Sequence, residues 1–104
     1  MQEKEEKAMP TYLLLMNATP EGMRKISQVN PRFENFKKEL KKSGGRLIGA
    51  YALLGGYDYA AVVEVPSEQE LVRLSLRVGR RGTSQVHSFR AFPMDEFAKM
   101  VKGL

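Results

Sequence analysis

Cysteine is absent from this 104-residue chain, and histidine occurs once. The first absence excludes a disulfide framework, a thiolate zinc site and a cysteine nucleophile. The second leaves too few imidazoles for a protein-built transition-metal site. Long apolar runs are missing as well: the longest near the start, Leu13 to Met16, falls far short of the roughly 20 residues that span a bilayer. The opening MQEKEEKA has none of the apolar core of a signal peptide. The expectation is a cytoplasmic protein with no membrane segment, no metal and no cofactor.

What is present suits one domain. A hydrophobic content of 42% at this length supports a single modest core. The net charge of +5 gathers at Lys37, Lys38, Lys41, Lys42 and Arg46, and at Arg73, Arg77, Arg80 and Arg81. Both clusters fall on helices or their ends, where a lysine-rich last turn is favoured by the helix dipole and by solubility, so they read as solvated faces.

Residues 1–8 are charged and polar without periodicity, which predicts a frayed extension ahead of a domain over 9–104. TYLLLMN (11–17) reads as a buried strand. Thr19-Pro20 reads as a helix start, with a hydroxyl to cap free amides and a proline whose φ is already helical. Met23, Ile26 and Val29 share one helical face; Asn30-Pro31 interrupts it, with Asn30 expected to cap a restart that carries Phe33, Phe36 and Leu40. SGG (43–45) ends the helix. RLIGAYALL (46–54) and YDYAAVVEV (57–65) are the next strands, joined through Gly55-Gly56. Ser67 and Glu70 form a capping box ahead of the stripe Leu71, Leu74, Val78. SQVHSFRAF (84–92) is a fourth strand and PMDEFAKMVKG (93–103) a short final helix.

The order β-α-β-β-α-β predicts an α+β fold of the ferredoxin-like kind: a four-stranded antiparallel sheet, helices on one face, and a short C-terminal helix. Alternation puts Tyr59, Ala61, Val63 and Val65 toward the helices and Asp58, Ala60, Val62 and Glu64 on the open face. On the fourth strand the mixed set Val86, Ser88, Arg90 and Phe92 is assigned to the open face, opposite His87, Phe89 and Ala91. A face carrying Val62, Phe92, Tyr51 and Leu53 is too apolar for water. A second copy closing face to face as a twofold dimeric α/β barrel is the simplest cover, with further stacking of dimers left open.

MPTYLLL, TPEGMRKI, the glycine pair before the second strand, LGGYDYAAVVE and FRAFPMDEF resemble the GYD domain family, whose tripeptide stands here as Gly56-Tyr57-Asp58. The resemblance runs from about Met9 to Leu104. It implies a dimeric ferredoxin-like α/β barrel and carries over no reaction. A looser similarity runs to the ligand-sensing domain of the leucine-responsive regulator family; no helix-turn-helix is expected here, since eight charged and polar residues cannot build one.

Gly55 and Gly56 read as a tight turn supplying positive φ, with Asp58 accepting from backbone amides. The competing reading makes the hairpin end the mouth of a barrel, where Tyr57 and Asp58 meet a ligand. Arg90 and Glu64 are expected to form a salt bridge inside the barrel, with an anion held by Arg90 as the alternative. His87, without a carboxylate orienter in view, reads as an ordinary strand residue. No nucleophile-base set, P-loop or dinucleotide fingerprint is present. Tyr57 and Tyr59 stand two apart as in RNA-recognition motifs, but the leading basic residue is missing and Val62 replaces the last aromatic, so nucleic-acid binding is not expected.

Three functions follow. The leading expectation is a homodimeric domain whose lumen holds a small organic molecule through Tyr12, Tyr51, Leu53, Tyr57, Asp58, Val62, Ser88, Arg90 and Phe92. The second is a cofactor-free enzyme of the small monooxygenase and isomerase kind, using Tyr51, Tyr57, Asp58 and His87, with no catalytic residue assigned. The third is a structural or protein-interaction module.

Overall fold

Pro20 sits in the first turn of a short helix, α1 (Pro20–Arg24), and the Thr19 hydroxyl caps that helix by accepting the Gly22 N–H at 3.1 Å. The structure, a computed structural model, describes residues 9–104; the extension expected over residues 1–8 lies outside the described residues. Ahead of α1 runs β1 (Thr11–Ala18), and after it come α2 (Val29–Lys42), β2 (Arg46–Ala52), β3 (Tyr59–Glu64), α3 (Glu68–Gly79), β4 (Ser84–Ala91) and α4 (Met94–Met100). The strands form one four-stranded antiparallel sheet in the order β2-β3-β1-β4. This is the ferredoxin-like α+β arrangement that the element order predicts.

The interruption in the first helical stretch differs in detail from the expected one. A 3-10 turn over Ile26–Gln28 separates α1 from α2, and α2 begins at Val29 with no side-chain cap, so Asn30 does not cap the restart. Pro31 falls inside the first turn, where a missing N–H leaves no helical bond unmade. Helix α3 starts as expected, with the Ser67 hydroxyl accepting the Glu70 N–H at 3.2 Å and two acids, Glu68 and Glu70, in its first turn, where the dipole favours negative charge.

Both long helices lie on one side of the sheet. Phe36 and Leu40 from α2 and Leu71 and Leu74 from α3 meet Tyr12 and Leu14 of β1 and Ala61, Val63 and Val65 of β3 and its end. The alternation expected for Ala61, Val63 and Val65 is therefore the observed one. Glu39 on α2 accepts from Arg77 of α3 at 2.8 Å and from Arg81 at 2.7 Å, which ties the two helices together beside the core. Arg77 also donates to the Ser43 hydroxyl at 3.0 Å. Among the described residues no helix is long and apolar enough to cross a membrane.

Gly22 marks where α1 touches the turn before β4: a Cβ there would lie 2.1 Å from the Thr83 carbonyl oxygen. That oxygen belongs to backbone and cannot swing away. Gly22→Ala should therefore lower unfolding stability by about 1 to 3 kcal/mol, the usual range for overpacking. Gly79→Ala, where a Cβ meets nothing within 4 Å, should be neutral or stabilising by up to about 1 kcal/mol. Urea midpoints of the two variants check the contrast; equal midpoints would contradict the close contact.

Candidate functional site

The hairpin between β2 and β3 is closed by one hydrogen bond of its own and fastened to the end of β1 by three more. Leu53 N–H donates to the Asp58 carbonyl at 2.8 Å, and Asp58 N–H donates to the Met16 carbonyl at 2.9 Å. The Asp58 carboxylate accepts the Ala18 N–H at 2.8 Å, and the Asn17 side-chain amide donates to the Gly56 carbonyl at 2.9 Å. Only one of the two glycines carries the strained backbone: Gly55 has φ 116°, whereas Gly56 is not among the positive-φ residues. The expected positive φ at Gly56 is thus corrected. Tyr57 places its ring edge-on to His87, with centroids 5.6 Å apart.

Strand register decides which side chains share the open face. Leu13 of β1 stands opposite Val62 and Phe89, and Leu15 opposite Ala60 and His87. On β2, Tyr51 pairs with Ala60 and lays its ring over Gly49. Ile48 sits in the bulge between Leu47 and Gly49 and is exposed. The open face is therefore an apolar surface of Leu13, Leu15, Tyr51, Val62 and Phe89, edged by Ile48 and by the Tyr57–His87 contact. Phe89 is 46% exposed and Tyr51 62%, although both are large aromatics that water excludes.

The same register corrects part of the expected lumen. Tyr12 pairs with Arg90 and Leu14 with Ser88, and Tyr12 and Leu14 belong to the helix-side core. Tyr12, Ser88 and Arg90 therefore face the helices, and Val86 with them. Ser88 shares a 3.0 Å hydroxyl contact with Ser75 of α3. The assignment slipped because both alternating sets of SQVHSFRA contain polar residues, so the pattern alone does not choose a side. Val62 and Tyr51 lie on the open face as expected. Leu53 follows β2 in the hairpin, and Phe92 lies just past β4, exposed, under the Arg90 guanidinium at 4.3 Å from its ring centroid.

The expected Arg90–Glu64 salt bridge is not formed. Glu64 pairs with Arg46 at 2.7 Å, its direct neighbour across β2 and β3, while Arg90 is on β4 and on the other face. Arg90 instead donates to the Thr11 and Ala91 carbonyls and stacks over Tyr12. Elsewhere, Lys25 and then Arg24 hold the Glu21 carboxylate below its ordinary range; all three side chains are open to solvent, so these contacts add little to stability.

Residues that sequence reasoning passed over complete the face. Leu13, Leu15 and Phe89 were hidden because β1 is apolar on both sides and β4 polar on both. Helix α4 buries none of its residues, and Met94, Phe97 and Met100 are all exposed; their three-residue spacing is the readable signal of an apolar stripe.

A four-stranded ferredoxin-like sheet with its long helices on one side and its hairpin hooked to β1 defines a class of small α+β domains. The GYD domain matches residues 12–101, and the chain belongs to that family. A protein of Thermus thermophilus named glutamine synthetase and cystathionine beta-lyase binding protein is 28% identical over 95 residues, covering 90% of this chain and 100% of that one. Among solved structures, the leucine response regulatory protein of Mycobacterium tuberculosis superposes with a TM-score of 0.59 at 14% identity, over 89% of this chain and 57% of that chain. This chain thus spans little more than half of that regulator, and the likeness is one of fold.

Asp58→Ala removes the acceptor of the Ala18 amide and should cost about 1 to 3 kcal/mol, the penalty for stranding a partly buried donor. Asp58→Asn keeps an acceptor oxygen and should cost less. Thermal melts of the two variants check the order, and equal losses would mean that the carboxylate acts through its charge instead.

Proposed function

We propose that the chain is a homodimeric protein-binding module of the cytoplasm: two copies close sheet face to sheet face, and the dimer docks on metabolic enzymes of the kind its relative is named for. The carrying observation is the apolar face of Leu13, Leu15, Tyr51, Val62 and Phe89, left uncovered by the described residues. Four strands about 4.8 Å apart and some 20 Å long give that face a footprint of roughly 400 Å² before side-chain relief. A stable interface buries roughly 800 Å² per partner, so side-chain relief and surfaces beyond the sheet supply the remainder. A twofold pairing lets one patch serve both copies.

The enzyme-binding part of the reading draws on the relative's name, which belongs to a protein aligned over its whole length with this one. Once the sheet faces are paired, the helical side is left outward, carrying Lys38, Lys41, Lys42 and Arg80, all exposed. An acidic enzyme surface is the complementary partner, and salt should weaken the contact. The small-molecule reading of the lumen has less behind it, because Tyr12, Ser88 and Arg90, three of its polar groups, lie on the helix side. The enzyme reading loses Asp58, whose carboxylate is engaged by the Ala18 amide.

Sedimentation should give twice the 11.8 kDa chain mass at micromolar concentration, and Phe89→Asp, at a site already half exposed, should give a folded monomer. Immobilised wild type should retain glutamine synthetase or cystathionine beta-lyase of its own organism with a Kd of about 10 μM or tighter. Failure to retain either enzyme at about 100 μM would contradict the docking reading, and a monomeric wild type would contradict the pairing.

A further inference from the structure

A second feature lies on the opposite side of the sheet. Between α2 and the strands, at the end where β1 stops and β4 begins, is a cavity of about 320 Å³. Its origin is legible in the register: Ala50 of β2 pairs with Ala61 of β3, so the floor there is set by two methyl groups. Phe33 and Phe36 roof it, and Met16 and Val78 close its sides. The space is half open to solvent, and its volume is that of ligand sites, which begin at about 300 Å³ and are lined mainly by apolar side chains.

The cavity also has a charged rim. Arg32 and Arg81 both line it. Arg81 shares the Glu39 carboxylate with Arg77. Arg32 donates only to the Lys25 carbonyl at 3.0 Å and, at the limit of 3.5 Å, to the Gly22 carbonyl; no carboxylate lies within ion-pair distance of it among the described residues. Two guanidinium groups thus line the cavity, and of these only Arg81 is paired with a carboxylate among the described residues. A guanidinium pairs best with a planar anion that takes two of its donors.

We propose that this cavity binds an amphipathic monoanion: a carboxylate held at Arg32 and Arg81, with an aliphatic chain or single ring lying over Ala50 and Ala61 beneath Phe33 and Phe36. The site is built within a single copy of the chain. It moves ligand binding from the open face, where the sequence suggested it, to the helix side.

The test is calorimetric titration of the full chain with octanoate, with 1-octanol and octylammonium as neutral and cationic counterparts. Octanoate should saturate at one molecule per chain, and octylammonium should not bind. Arg32→Gln should weaken octanoate by about tenfold, the loss of one charge-assisted contact. Ala50→Leu, which fills the floor, should abolish binding. A measurement on the wild type guards against misfolded variants: methyl resonances of Met16, Val29 and Val78 should shift with octanoate, while those of Leu13 and Val62 stay in place. Absence of saturable binding, equal affinity for octylammonium, or shifts confined to Leu13 and Val62 would each overturn the proposal.

Discussion

A four-stranded sheet offers two faces, and the long helices of this chain cover one. On that side Phe36, Leu40, Leu71 and Leu74 meet Tyr12, Leu14 and Val63 in a continuous apolar cluster, and burying side chains of this size stabilises by about 1.5 to 3 kcal/mol each. On the other side Leu13, Val62 and Phe89 stand in register, and neither long helix among the described residues packs on them. A sheet that is apolar on both sides cannot leave either to water at no cost, and this imbalance is what the proposed pairing relieves. Helix α4 fits the same picture: its Phe97 and Met100 are exposed among the described residues.

The tripeptide Gly56-Tyr57-Asp58 takes its meaning from the sheet end. Asp58 bonds through its amide, its carbonyl and its carboxylate, so one residue registers β3 on β1 and closes the hairpin toward β2. Asn17 repeats the function from the β1 side by donating to the Gly56 carbonyl. Tyr57 is freed from the ladder and rests on His87. The motif is thus a fastening for the hairpin, and its one strained position is the glycine before it, Gly55 at φ 116°, where a side chain would cost about 1 to 2 kcal/mol.

How much of this was legible in the sequence depended on whether the controlling interaction was local. Two helix starts were, because Thr19 and Ser67 cap amides only three residues ahead, whereas the start of α2 was not. The element order, and with it the fold, followed from turn residues and periodicity. The helix-facing set Ala61, Val63 and Val65 followed from alternation. The face of Ser88 and Arg90 was not legible, because β4 is polar on both sides and its orientation is set by Tyr12 and Leu14, more than seventy positions away in the chain. The Arg46–Glu64 pair was missed for the same reason: it depends on the register of β2 against β3. The cavity needed both the Ala50–Ala61 pairing and the placement of α2, and neither is a pattern within one segment.

The central claim is that a second copy covers the open sheet face, and the most direct measurement is an isotope-filtered NOE experiment on an equal mixture of carbon-13-labelled and unlabelled chains. The account predicts intermolecular contacts from the methyl groups of Leu13, Leu15 and Val62 to aromatic protons of Phe89 and Tyr51 in the other copy. Absence of such contacts in a protein that is folded, or contacts arising only from the outer surfaces of α2 and α3, would contradict it.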